Sequence, residues 1–345
     1  MFEARRLAVL AEGKLGVLTS KTAACMVRYQ PERIACVIDS TKAGLPVQKV
    51  LGFGGDIPIV RSIKEAVSMS PDTLLIGIAP RGGLLPPEWR PIIMTAIDAG
   101  LNVISGLHTM LGEDPEINGA ARTAGVRIWD IRRPVIPDDV SAGTLKDRQG
   151  HVILTVGSDS RSGKMTVAFE LARFLAGRGV SAEFVATGQT GILLAGRGVV
   201  IDRVPGDFMS RVVEDLTLDA LSRAHVAIVE GQGSLVHPAF SGVALGILHG
   251  CYPDSMILCH QPSRGEIEGY GVLIPPVTYF IEMYERLSNA VYPSRVIGIA
   301  LNTFDLDEKE AREEIDAVGK ETGLPTADII RWGCEPLGET VEAIL

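Results

Sequence analysis

Short apolar runs bounded by polar or glycine-bearing stretches recur along the whole chain. In the first part they fall at 7–10, 34–38, 74–78, 102–104 and 127–131. Each is too short for a helix and rich in Val, Ile and Leu, the composition of a strand covered on both faces. Between them, residues 21–29, 63–69, 91–99 and 117–124 carry apolar positions at three- and four-residue spacing and are predicted helices. Buried strands alternating with helices imply parallel strands joined by right-handed crossovers, hence a Rossmann-like layer. The alternation resumes at His151. Strands are predicted from 151 into a glycine-bounded loop and at 182–186, 226–229, 256–258 and 295–301, with an edge strand at 329–331. Helices are predicted at 166–176, 207–223, 275–290, 308–321 and 336–344.

Between 132 and 150 the apolar periodicity disappears and prolines, Asp138-Asp139 and several basic residues collect. Such a stretch reads as a linker. The junction is placed near residue 145, giving a domain at 1–145 and another at 146–345. No repeat of fixed period is visible.

With 345 residues, two domains can each bury a sizeable core. A net charge of −9 and a pI near 5.3 exclude a general nucleic-acid or anionic-membrane surface, so an anionic ligand needs a local positive site. Cys25, Cys36, Cys251, Cys259 and Cys334 are scattered, odd in number and form no C-x-x-C pair. Reduced thiols, a cytoplasmic location and no bound metal are the expectation. No apolar run reaches the roughly 18 residues of a membrane span, and the start of the chain lacks an apolar leader core.

The local positive site is legible at Gly157-Ser158-Asp159-Ser160-Arg161-Ser162-Gly163-Lys164-Met165-Thr166, which follows a β-branched run and opens a helix. Gly157 and Gly163 let the backbone bend so that N–H groups converge on an anion. The helix start adds partial positive charge and Lys164 a full one. The second domain is therefore read as a P-loop NTPase-like α/β domain with a mainly parallel sheet. Two features depart from the usual pattern: five residues rather than four separate the glycines, and Met165 stands where Mg-ATP enzymes carry Ser or Thr. Thr166 comes one residue later, about 100° round the helix.

The first domain lacks a G-x-G-x-x-G fingerprint, so NAD binding is not expected and Asp39 is read as a strand-end turn residue. Of its glycine-rich loops at 52–56 and 79–87, the second follows a buried strand, and Arg81 in it is a candidate anion contact. In the second domain, Thr187-Gly188-Gln189-Thr190-Gly191 follows a strand and offers Gln189 to a polar substrate. Val226–Val229 runs into Glu230-Gly231-Gln232-Gly233-Ser234, which puts an acid at a buried strand end, and His237 follows it closely. His260 is a candidate proton handler and Arg264 a candidate fork for a carboxylate. The aromatic face of Tyr279, Phe280 and Tyr284 is assigned to core or subunit packing, and a homo-oligomer is expected.

The loop with Asp159 two residues after its first glycine resembles that of the dethiobiotin synthetase group. In that group a Glu-Gly motif like Glu230-Gly231 reaches metal and substrate, and an asparagine placed like Asn302 reads an adenine. Gly-Ser-Asp-x-x-x-Gly-Lys-Met-Thr, Ala-Thr-Gly-Gln-Thr-Gly, Val-Glu-Gly-Gln-Gly-Ser and His-Pro-x-Phe-Ser-Gly together resemble, over nearly the whole chain, the D-glutamate N-acetyltransferase family. Met165 is typical of it. The resemblance implies acetyl-CoA as donor and the amino group of D-glutamate or a similar amino acid as acceptor. It also implies that the loop at 157–166 holds the CoA diphosphate and that Asn302 lies near the adenine. On that reading Glu230 or His237 takes the amine proton, loop N–H groups, Gln189 or Lys164 hold the oxyanion, and Arg264 and Arg161 meet the acceptor's carboxylates. The dethiobiotin synthetase likeness taken alone implies an Mg-ATP-dependent ligase or kinase acting on a small carboxylate. A non-catalytic nucleotide-binding regulator is the third alternative.

Overall fold

A computed structural model describes residues 6–80, 82–267 and 269–345. It divides into two compact units, Met1–Arg133 with Ile192–Gly196, and Pro134–Gly191 with Arg197–Leu345. In the first unit, strands β1 (Leu7–Leu10), β2 (Ile34–Ile38), β3 (Ile59–Val60), β4 (Thr73–Ile76), β5 (Asn102–Ser105) and β6 (Ile128–Asp130) form one sheet. Its order is β3-β2-β1-β4-β5-β6 and every pairing is parallel. Every residue of β1 and β2 is buried, as expected when helices cover both faces. The helices are α1 (Lys21–Tyr29), α2 (Val47–Leu51), α3 (Ile63–Val67), α4 (Arg90–Asp98) and α5 (Pro115–Ala124). Local chemistry sets their ends. The Asp114 side chain accepts the Glu116 and Ile117 N–H groups at the start of α5, and Gly125 closes it in the left-handed region at φ +70°.

Asp39, at the end of β2, is fully buried and bonds its own neighbourhood. It accepts the Leu15 N–H at 3.0 Å, the Thr41 N–H at 3.0 Å, the Thr41 hydroxyl at 2.6 Å and the Lys42 ammonium at 3.1 Å. Burial opposes its ionisation, but these bonds outweigh burial and hold the carboxyl below its usual range. It is a turn residue, as its sequence context suggested. Arg81 lies outside the described residues.

The second unit contains β7 (His151–Gly157), α6 (Lys164–Gly177), β8 (Ala182–Val185), α8 (Met209–Leu221), β9 (Val226–Val229) and α9 (Ser241–Cys251). It continues with β10 (Ser255–His260), α10 (Val277–Asn289), β13 (Arg295–Leu301), α11 (Glu308–Thr322), β14 (Thr326–Ala327), α12 (Ile329–Trp332) and α13 (Glu335–Glu342). Helix α7 (Gln189–Ala195) begins here, and β11 (Glu266–Ile267) with β12 (Val272–Leu273) forms an antiparallel hairpin after β10. The main sheet runs β14-β13-β10-β7-β9-β8, all parallel. Its core includes Leu154, Val156, Val229, Ile247, Leu258, Phe280, Tyr284 and Ile299.

The expected edge strand at 329–331 is instead α12. The Asp328 side chain accepts the Ile330 and Arg331 N–H groups and so caps a helical turn, and the edge strand is β14, just before it. All five cysteines are free thiols. Among the described residues no helix is long and apolar enough to cross a membrane.

Candidate functional site

Because the main sheet of the second unit is parallel, the loops leaving its strands gather at one edge, where ligands bind in open α/β sheets. Strand β7 lies between β9 and β10. The loop at 157–163 is therefore flanked by Glu230–His237 on one side and His260–Arg264 on the other.

The loop has the geometry of a cradle. A Cβ at Gly157 would fall 2.6 Å from Lys164 Nζ and 2.7 Å from Ser162 Oγ, so a side chain there would displace the ammonium and the hydroxyl that line the cradle. Gly163 sits at φ +109° as it enters α6, and Arg161 takes the left-handed region at φ +57°. The first turn of α6 presents N–H groups that lack intrahelical partners, a ready anion site. Lys164 is buried and donates to the Asp159 carbonyl at 2.6 Å and to Ser162 Oγ at 3.2 Å, while Ser162 Oγ donates to the same carbonyl at 3.1 Å. Met165 is buried in the core and Thr166 half-buried, so Met165 fills a packing position rather than a metal-facing one.

Asp159 is the hub of the charged groups. Only 1% exposed, it accepts Arg264 Nη1 at 2.8 Å and the Ser160 N–H at 2.6 Å, and Oδ1 lies 3.8 Å from His237 Nε2. Arg264 also donates to the Ser160 carbonyl at 2.7 Å and to Gln261 Oε1 at 2.5 Å, so the guanidinium proposed for a substrate carboxylate braces the cradle. His237 Nδ1 accepts the Ala239 N–H at 3.1 Å, which assigns the neutral ring's proton to Nε2, facing Asp159. Burial keeps this imidazole below its ordinary pKa and the Lys164 charge adds to that, with Asp159 opposing. His260 Nδ1 forms a 2.8 Å hydrogen bond with Ser158 Oγ, and burial, helped by the Arg264 charge, pushes its pKa down to about 4. Both rings are neutral at pH 7.

Glu230 ends β9 and is buried. Oε2 accepts the Thr187 and Gly188 N–H groups, each at 3.1 Å, and Oε1 accepts Gln232 Nε2 at 2.9 Å. Gly188 and Gly191 give the acid its space, since a Cβ at Gly191 would collide with Oε2. The structure thus brings Glu230 to the root of α7, which Gln189 opens half-buried. Asn302 follows β13, two strands from the cradle, half-buried, with its N–H donated to the His260 carbonyl at 2.8 Å. Arg161 stands exposed at the loop's apex.

Four contributors escaped sequence reading. Gln261 holds Arg264 and is itself fixed by donating to Asp305 Oδ2 at 3.1 Å. Phe240 and Tyr270, both partly exposed, pack on the His237 ring with centroids 4.4 and 5.0 Å away. The Tyr284 hydroxyl donates to the Gly157 carbonyl at 2.9 Å; a tyrosine rather than a phenylalanine on a buried helix face was its only trace in the sequence. Chemically, the edge combines an amide cradle and an ammonium suited to a diphosphate, with a carboxylate and two neutral imidazoles nearby.

Residues 139–338 match the domain described as the DUF1611_C P-loop domain of unknown function, and residues 40–134 match the DUF1611_N Rossmann-like domain. A D-glutamate N-acetyltransferase of Tritonibacter scottomollicae is 35% identical over 302 residues, covering 85% of this chain and 88% of the relative. Another of the same name, from a Pseudoalteromonas species, is 36% identical over 278 residues, covering 80% and 83%. The crystal structure of a DUF1611 family protein from Anabaena variabilis is 36% identical and superposes with a TM-score of 0.93, covering 98% of this chain and 99% of that one.

Proposed function

We propose that this chain, which belongs to the DUF1611 family, moves the acetyl group of acetyl-CoA to the amino group of D-glutamate or a closely similar amino acid. The chain is a transferase. The acceptor rests on one observation: relatives aligned with most of the chain are D-glutamate N-acetyltransferases. Acetyl-CoA as the donor rests on its fit to the cradle.

CoA carries a diphosphate, and the cradle at 157–166 offers N–H groups and Lys164 without needing a metal-binding Ser or Thr at Met165. The adenine would lie toward Asn302. For transfer, the amine nitrogen of the acceptor must lose a proton before it attacks the thioester carbon; the C–S bond then breaks and CoA leaves as a thiol. Glu230 is assigned as the proton acceptor, because the single lone pair of the neutral His237 ring already receives the Ala239 N–H while its Nε2 carries the proton, whereas a carboxylate stays basic while it accepts hydrogen bonds. Amide groups of the loops and Gln189 support the oxyanion. Arg161, exposed at the apex, is the side chain assigned to an acceptor carboxylate, and Arg264 supports the cradle instead.

Thiol release from acetyl-CoA should depend on added D-glutamate, be much slower with L-glutamate, and need neither ATP nor Mg²⁺. Calorimetry with acetyl-CoA, CoA, and ATP with and without Mg²⁺ completes the test. Tight Mg-ATP binding with phosphate release and no thiol release would replace this reading with an ATP-dependent ligase or kinase.

A further inference from the structure

We propose that Tyr284 is a positioning residue that locks the diphosphate cradle to the loop carrying Glu230 and His237, so that the donor's grip and the proton-handling groups share one rigid frame. The proposal rests on the reading of the cradle as the donor's diphosphate site.

Helix α10 buries Val277, Phe280, Tyr284 and Ser288, a spacing of three and four residues that lays one face on the sheet. At Phe280 a plain ring fills the core. At Tyr284 the same core receives a hydroxyl, although the residue is only 1% exposed. A hydroxyl so deep must find partners or destabilise the fold.

The partners it finds belong to two different loops. The hydroxyl donates to the Gly157 carbonyl at 2.9 Å, and it lies 3.4 Å from both the Gly157 N–H and the Leu235 N–H, which donate to it. Gly157 is the first glycine of the cradle, and the space its missing side chain leaves is filled by Lys164 Nζ and Ser162 Oγ. Any tilt of the Gly157 peptide therefore shifts the seat of the cradle's ammonium. Leu235 sits between Glu230 and His237. That loop has a second tie to the same strand: the Gly231 N–H donates to Thr155 Oγ1 at 3.1 Å, and a Cβ at Gly231 would collide with the Thr155 carbonyl. Thr155 pins the start of the loop directly to β7, and Tyr284 pins its middle through a single oxygen. One phenol thus fixes the floor of the cradle and the height of the loop beside it.

Tyr284→Phe keeps the ring and deletes the oxygen. In the full-length, ligand-free variant, backbone hydrogen exchange should speed up together in the segments covering 157–166 and 230–237. Exchange unchanged in 230–237 would overturn the coupling. Calorimetry with CoA and with inorganic pyrophosphate should show both bound about tenfold more weakly than by the wild type, the scale of one lost buried hydrogen-bonding group. The KM for acetyl-CoA should rise by a similar factor while that for the amino-acid acceptor stays constant. Phe280→Leu, a packing lesion on the same helix face, should lower the melting temperature without moving either affinity. Wild-type affinities in a folded Tyr284→Phe variant would reduce Tyr284 to a core residue. A wild-type protein that binds neither CoA nor pyrophosphate would remove the functional reading of the cradle, and the exchange result would still decide the coupling. Should Tyr284→Phe fail to fold, wild-type exchange decides it: CoA must protect 231–237 along with 157–166, and protection confined to 157–166 refutes it.

Discussion

Replacing Arg264 by Met removes the cation that balances the buried carboxylate of the cradle. The guanidinium makes three hydrogen bonds, to Asp159 Oδ2 at 2.8 Å, the Ser160 carbonyl at 2.7 Å and Gln261 Oε1 at 2.5 Å. Asp159 is 1% exposed, whereas the Arg264 side chain is 19% exposed. Breaking a fully buried pair by removing one partner costs about 3–5 kcal/mol. Water reaching the open side of Arg264 screens part of that, so a loss of about 2–3 kcal/mol is expected. Asp159→Asn in the same background should recover part of the loss, because the uncompensated charge disappears with it. The two single losses should exceed the loss of the double variant by at least about 1 kcal/mol. Urea unfolding of the four proteins at pH 7, with equal m-values, measures this. Pyrophosphate affinity should fall in Arg264→Met, since a bare carboxylate then faces the anion, and recover in the double variant. A single-variant loss below about 0.5 kcal/mol with an additive cycle would refute the balancing role.

Four further outcomes follow from the same geometry. Glu230→Gln should lower turnover about a hundredfold or more with little change in donor affinity, and His237→Asn should lower it far less; steady-state thiol release compares them. Gly157→Ala places a methyl 2.7 Å from Ser162 Oγ and 3.1 Å from Lys164 Cδ, which distorts the cradle even when Lys164 Nζ has turned to the ligand, so calorimetry should show CoA affinity reduced at least about tenfold. His260, with a pKa pushed down to about 4, refuses the proton that the unfolded chain takes up near 6.5. Stability should therefore fall as pH drops from about 6.5 to about 4, by on the order of 2–3 kcal/mol; urea midpoints across that range should show a flatter profile for His260→Gln. Glu214, fully buried, accepts the Ser141 hydroxyl and Ala142 N–H on one oxygen and the Thr144 N–H and hydroxyl on the other, so Glu214→Ala should cost about 3 kcal/mol in denaturant unfolding.

The sheet strands and the long amphipathic helices were legible because burial on two faces or on one leaves a direct imprint on residue order. Strands β1, β2, β9 and β13 and helix α1 lie where periodicity put them. Helix α9 left no such imprint. It is apolar almost throughout, and its glycines look like loop residues. In the fold Gly250 instead gives α9 close approach to α8, since a Cβ there would lie 2.6 Å from the Ser210 carbonyl. Ile329 and Ile330 suggested a strand because two adjacent β-branched residues outweighed the Asp328 cap in a segment too short to show a period. The cradle was legible as a motif, since glycine spacing, lysine and helix start are local. The partners of its charges were not: Arg264 and Asp159 are 105 residues apart, and only the parallel order of β7 and β10 brings them together. The same holds for Tyr284, 127 residues from Gly157.

Whether the loop at 157–166 holds the donor's diphosphate is decided by a crystal structure of the protein with CoA. Both phosphate groups should lie within hydrogen-bonding distance of the backbone N–H groups entering α6, with Lys164 Nζ turned from the Asp159 carbonyl to the ligand. Well-ordered CoA with its diphosphate bound away from this loop would contradict it.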